Sequence, residues 1–223
     1  MFSLLARNRV MKQIAIIGSG GFAREVLCLI QDINKLKNEY EILGFVDGSI
    51  QKGKMIDGFP VIGSDDDVVN SQIDAVLAFG EPHLKAKVAE KYKNGKVSFP
   101  TLIHPNVVIG NNYNVNYGKG CIICAGNILT TNIKLGDFVT LNLMCTVGHD
   151  TIIGNYSSFM PSVNISGEVT IDNCVYCGTG VKIINQTSIG ENTIVGAGAV
   201  VTKALPANCT AVGIPAKPIK FNN

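Results

Sequence analysis

The chain has 223 residues, 46% of them apolar, with 19 Lys and Arg against 17 Asp and Glu for a net charge of +2. That length holds two small domains, and so balanced a charge, with no basic cluster, excludes the electrostatic footprint of a nucleic-acid binder. No apolar run approaches the ~20 residues of a membrane span and residues 1–10 lack the apolar centre of a secretory signal, so a cytoplasmic setting is expected.

Residues 1–10 read as a leader, extended or misassigned, with Met11 as an alternative start. Lys12 to Ile17 reads as a buried strand and Gly18-Ser19-Gly20-Gly21 as a tight turn. Phe22 to Asn34 then has helical periodicity, carried by Phe22, Val26, Leu29, Ile30 and Ile33. A second strand, Ile42 to Val46, ends in Asp47-Gly48. A third apolar run, Ala75 to Phe79, ends in Gly80 and leads into a helix from about Pro82 to Tyr92. Strand, glycine turn, helix, strand is a βαβ unit, whose turn and helix N-terminus offer backbone N–H groups to a phosphate. Asp47 stands where a carboxylate can accept from a ribose hydroxyl. Gly18-x-Gly20-x-x-Ala23 equally suits a turn that only reverses the chain. A nicotinamide dinucleotide fits poorly, because the segment before the repeat described next is half of a dinucleotide-binding sheet. A nucleotide-sugar head group fits better. Pro100 and Pro105 break the pattern near Ser98 to His104, which divides the chain into residues 11–100 and 101–223.

From Leu135 onward, every sixth residue is apolar: Leu141, Val147, Ile153, Phe159, Ile165, Ile171, Cys177, Ile183, Ile189, Val195 and Val201. The residues two earlier, from Ile133 to Ala199, are small or β-branched. Residues two apart on a strand share a face, so each hexapeptide supplies two inward side chains and a corner. Three such sides close an 18-residue rung, the geometry of a parallel β-helix. Ile103, Ile109, Val115, Cys121 and Ile133 hold a frame two residues out of phase, which places a slip near Ile133 and gives five to six rungs from Ile103 to Val201.

Residues 18 apart then stack. One edge carries His149, Gly167, Asn185 and Lys203; a second Leu143, Pro161, Thr179 and Ala197; a third, solvated by composition, Asp137, Asn155, Asn173 and Glu191. The bare Gly167 beside His149 leaves room for a ligand against the imidazole. Cys121-x-x-Cys124 and Cys174-x-x-Cys177 are too far apart for a zinc ribbon, and Cys121 and Cys177 occupy inward positions, so no metal is expected. His149-Asp150 is the sharpest catalytic candidate: a neutral imidazole removes a proton, and a carboxylate beside it stabilises the imidazolium. His83 and His104 read as surface or packing residues.

The repeat around Gly148-His149-Asp150-Thr151-Ile152-Ile153-Gly154, the tail Gly196-Ala197-Gly198-Ala199-Val200-Val201-Thr202-Lys203 and the end Gly213-Ile214-Pro215-Ala216-Lys217 resemble the left-handed β-helix acyltransferases. Together with the N-terminal glycine turn, the chain resembles the sialic acid O-acetyltransferase family. That family includes bacterial N-acetyltransferases of nucleotide-linked 4-amino-4,6-dideoxy sugars. The resemblance implies a Rossmann-like α/β domain followed by a left-handed parallel β-helix; the hand comes from it alone, since parallel crossovers are ordinarily right-handed. It implies His149 as general base, with Asp150 raising its basicity. Gly20, Gly21, Phe22, Asp47, Gly48 and Gly80 would hold the nucleotide and Asn142 the sugar. Acetyl-CoA would lie near Ser158, Gly167, Thr179 and Ala197, in sites between the subunits of a homotrimer. The chain departs from many members at Phe22, where they carry histidine in the glycine turn, and from some N-acetyltransferases at Ser158, where they carry a second histidine that contacts acetyl-CoA.

The function expected is acetyl transfer from acetyl-CoA to the amine of a nucleotide-linked amino sugar. O-acetylation of sialic acid or another sugar hydroxyl uses the same base. A non-catalytic nucleotide-binding scaffold is the alternative of a different class, and a nicotinamide oxidoreductase is opposed by the short first domain.

Overall fold

The computed structural model describes residues 11–221; the leader reading for residues 1–10 falls outside them. The N-terminal unit is a five-stranded sheet in the order β3-β4-β2-β1-β5. β1 (Lys12–Ile17) is its centre, pairing in parallel with β2 (Tyr40–Val46) and β5 (Asp74–Leu77), while β3 (Met55–Ile56) and β4 (Phe59–Gly63) form a hairpin at the edge. The glycine turn opens α1 (Gly21–Lys37). α2 (Asp65–Val68) starts in a capping box from Ser64 and Asp67, and α3 (Pro82–Lys91) is capped by the Glu81 carboxylate. The burial of Ala23, Val26, Leu27, Leu29, Ile30 and Ile33 is the helical periodicity of α1 made physical.

The rest of the chain is the left-handed parallel β-helix. β6 (Leu102–Ile103), β7 (Val108–Ile109) and β8 (Val115–Tyr117) begin its three faces, and every later strand stacks on one of them. Five complete rungs and two strands of a sixth lead to Val201; the strand Cys209–Val212 and its antiparallel partner Lys217–Phe221 finish the first face. From the second rung on, both inward positions of each hexapeptide are buried, Leu141 and Val139 as completely as Val195 and Thr193.

The slip lies elsewhere than near Ile133. Leu102 pairs with Ile122 and Val108 with Ile128, yet Val115 pairs with Ile133 and Thr140 with Ile122. The two extra residues of the first rung therefore sit between Ile109 and Val115, in the corner Gly110–Asn114. Val115, Cys121, Asn127 and Ile133 continue the earlier of the two inward positions, so what looked like a phase change is one frame seen through its other member.

Every sixth residue from Gly120 to Gly198 has positive φ, among them Asn132, Phe138, Met144, Asp150, Tyr156, Glu168 and Gln186. The corners all turn through the left-handed region, whatever the side chain. On the third edge, side-chain amides tie corner to corner: Asn155 Oδ1 accepts from Asp137 N and Asn173 Oδ1 from Asn155 N, each at 2.8 Å.

The N-terminal unit covers the first face only. Leu102, Ile122, Thr140 and Ser158 are outward residues of that face and are buried under it, whereas Ile128 and Ile152 on the other faces stay exposed. Lys85 reaches from α3 to donate to Phe138 O (2.8 Å), Thr140 Oγ1 (3.0 Å) and Ser157 O (3.4 Å). Burial pushes its ammonium pKa down to about 7. Phe99, Phe138 and Tyr156 pack ring on ring beside it, and His104 Nε2 meets Asp32 Oδ2 at 3.1 Å, so His104 is a packing residue of the junction.

Candidate active site

His149 and Asp150 form the corner between the second and third faces, the vertex opposite the covered face. His149 Nδ1 lies 2.7 Å from Asp150 Oδ2, with both side chains about half exposed. A carboxylate there accepts Nδ1–H, which selects the tautomer whose Nε2 carries the lone pair. That nitrogen faces Gly167: a Cβ built on Gly167 would stand 2.5 Å from His149 Nε2 and 2.6 Å from Cε1. The stacking arithmetic thus brings the two residues into direct contact, and only a glycine leaves the imidazole its place.

Sequence reasoning missed Asn132. Its Nδ2 donates to Asp150 Oδ1, and the 18-residue step that leads from His149 forward to Gly167, taken backward from Asp150, would have found it. Hydrogen bonds from Asn132 first and His149 second hold the Asp150 carboxyl below its ordinary pKa. Past Gly167 the edge opens into a groove of about 810 Å³ lined by Glu168, Asn185, Gln186 and Lys203 among others.

The other expected residues fall in two further places. Gly20 and Gly21 begin α1 with no side-chain cap and no acidic residue in its first turn, and a Cβ at either would meet nothing within 4 Å. The helix N-terminus is thus open to an anion. Gly18 has φ +101° and lies against Phe79, where any side chain would collide. Asp47 spends both oxygens within the protein: Ser19 Oγ donates to Oδ2, Ser49 N and Oγ donate to Oδ1 at 2.9 and 2.6 Å. Burial raises its pKa, but these bonds outweigh burial and leave it lowered. Gly48 neighbours Ser64, and Phe22 is partly buried against the domain core. Gly80, at the end of the third apolar run, stands over the solenoid, a Cβ there lying 3.7 Å from Met160 Cε. A cavity of about 390 Å³ opens beside it, between Glu81, Pro82, His83 and the solenoid residues Cys174, Tyr176 and Ile194.

Asn142, Thr179 and Ala197 belong to the corner between the first and second faces, the edge next to Met160. Asn142 is buried and its Oδ1 caps Leu143 N at 2.7 Å; Thr179 and Ala197 are exposed. Ser158 departs from the expectation. It lies under the N-terminal unit with no exposed surface, and its Oγ has no partner among the described residues, so it presents no hydroxyl to a groove along the solenoid. Cys121 and Cys177 are fully buried in the solenoid core, as inward residues of the repeat.

Residues 13–92 match the family model described as the PglD N-terminal domain. The chain is 31% identical over 219 residues to GDP-perosamine N-acetyltransferase of Escherichia coli O157:H7, covering 94% of this chain and 97% of that one. Among solved structures it resembles PerB from Caulobacter crescentus, in complex with CoA and GDP-perosamine, with a TM-score of 0.84 and 28% identity over 93% of this chain and 97% of that one. It also resembles the acetyltransferase domain of PglB from Neisseria gonorrhoeae FA1090, with a TM-score of 0.85 and 30% identity over 93% of this chain and all of that one.

Proposed function

Because the chain belongs to the hexapeptide-repeat sugar acetyltransferase family, we propose that it moves an acetyl group from acetyl-CoA to the amine of a nucleotide-linked amino sugar of the 4-amino-4,6-dideoxy type, with His149 as general base. The observation that carries this reading is the stack of His149 on Gly167 with Asp150 at Nδ1, a tautomer-fixed, half-exposed imidazole held against bare backbone. In the reaction, His149 Nε2 takes a proton from the sugar amine as its nitrogen attacks the thioester carbonyl carbon. The tetrahedral intermediate collapses with cleavage of the C–S bond, and the proton leaves with the CoA thiol. The Gly167 N–H, which finds no backbone acceptor among the described residues, is the oxyanion donor.

The nucleotide diphosphate sits at the open N-terminus of α1, with Gly48 and Gly80 around it and Asp47 holding the turn in shape. His149 stands on the one vertex that the N-terminal unit does not approach. The site is therefore completed by another copy, whose Asn142, Thr179 and Ala197 edge faces the Gly167 groove across a trimer interface and encloses the pantetheine. The setting is cytoplasmic.

Thiol release from acetyl-CoA across UDP-, GDP- and dTDP-linked amino sugars, with free sialic acid alongside, tests the reading. His149→Ala is expected to lower turnover ~10²–10⁴-fold with nucleotide-sugar affinity little changed; an equally active variant removes His149 from the role of base. Turnover on sialic acid alone replaces the amine by a hydroxyl. The nucleotide beside His149 is then held by the facing copy, so unfolding His149→Ala and Asp47→Ala chains and refolding them together is expected to give more activity than either variant refolded alone; no gain refutes the shared site.

A further inference from the structure

The left-handed corner position that Asp150 occupies forms a column of its own: Asn132, Asp150, Glu168 and Gln186, with φ of 53°, 57°, 57° and 57°. Two carboxylates thus occupy adjacent rungs about 4.8 Å apart, with an amide beyond each. The amides divide them. Asn132 Nδ2 donates to Asp150 Oδ1, and Gln186 Nε2 donates to Glu168 Oε2 at 3.1 Å. Each bond draws its acid away from the other, against a repulsion of about 1 kcal/mol at such a spacing in water.

We propose that Asn132 is a positioning residue for the base: by holding Oδ1 of Asp150, it aims Oδ2 at Nδ1 of His149 and keeps the lone pair on Nε2. This rests on the reading of His149 as general base. The clip is needed because nothing else restrains the carboxylate. Among the described residues its side-chain partners are Asn132 and His149 alone, and both members of the pair are about half exposed. Released from Asn132, the carboxylate swings into solvent and away from Glu168, and the imidazole loses the partner that fixes its tautomer. Gly167 limits where the ring can lie but has no polar contact to set which nitrogen is protonated. The charged groups on the rungs about the pair are Lys134, which pairs with Ile152 beside it, Glu168 on the next rung and Lys203 further down the edge.

Two variants separate position from fold. Asn132→Gly deletes the amide while accepting the positive φ without strain. Asn132→Asp keeps the shape but puts a third carboxylate in the column. With acetyl-CoA and the amino sugar that the wild type turns over, kcat, both KM values, the melting temperature and the pH dependence of kcat/KM are measured, with His149→Ala alongside. Asn132→Gly is expected to lower kcat ~10-fold at unchanged KM. Asn132→Asp is expected to lower it further and to move the acidic limb to higher pH, because the added anion favours imidazolium. Wild-type kcat in Asn132→Gly, with His149→Ala inactive, overturns the positioning role and leaves the base standing. So does an Asn132→Asp limb that does not move. Activity in His149→Ala overturns the reading beneath both.

Discussion

Gly167→Ala asks whether the imidazole works where the fold places it. The added methyl would stand 2.5 Å from Nε2, 2.6 Å from Cε1 and 2.8 Å from Cδ2 of His149, where ordinary contact begins at 3.4 Å. Gly167 does not have positive φ, so its backbone accepts alanine, and the three nearest atoms that must give all belong to the ring. The ring yields by about 1 Å, and a displacement of that size costs ~10² in rate when it misaligns reacting atoms. It also pulls Nδ1 off Asp150, whose hydrogen bond is 2.7 Å long. The half-exposed ring moves into solvent, so stability changes by no more than about 0.5 kcal/mol. Thiol release from acetyl-CoA and a thermal melt on the same preparation read the two effects. A folded variant with wild-type kcat refutes the argument, because it shows that chemistry does not need the imidazole against that backbone.

Asp150→Asn keeps the size and the left-handed corner but can offer an N–H to Nδ1, which imposes the opposite tautomer; kcat is expected to fall ~10²–10⁴-fold at constant KM, checked by steady-state kinetics. Lys85→Met tests the buried ammonium. With a folded pKa of about 7 against an ordinary 10.5, Lys85 costs stability below pH 7, where both states hold the proton, and the cost is relieved as pH rises toward 10 because only the unfolded chain stays charged. Wild type should therefore gain on Lys85→Met between pH 7 and 9 by up to about 1.4 kcal/mol per pH unit, measured by urea unfolding; a constant difference refutes it. Gly180→Ala meets nothing within 4 Å but carries φ +75°, so it should lose about 1 kcal/mol of stability from backbone strain alone, read from its unfolding midpoint, with the nucleotide-sugar KM unaffected.

What could be read before any coordinates follows from the two exact periods of the solenoid. Alternation along a strand identifies inward residues, and an 18-residue rung turns spacing into neighbourhood, so Gly167 against His149 was legible. The slip was misplaced because Val115 and Ile133 satisfy either inward position. Which face the N-terminal unit covers was not legible: Ile122 and Ile128 are equally apolar outward residues, and only docking buries the first and exposes the second. Lys85 likewise looks like any charged residue of a short helix until its three acceptors on the solenoid are seen. Ser158 was taken for a cofactor contact on resemblance, and burial under the same unit removes it. The β3–β4 hairpin was overlooked although Asp57-Gly58, a strong turn signal, joins its strands.

At the bends from Gly120 to Gly198 the main chain adopts one conformation whether the residue is Phe138, Met144, Asp150, Glu168 or glycine. Closure of the coil imposes that geometry, and the packed interior sustains it. Side-chain identity at a bend therefore costs the architecture only the ~1 kcal/mol strain of a left-handed residue other than glycine, so bends are where such a scaffold can exchange one chemistry for another while its interior stays unaltered.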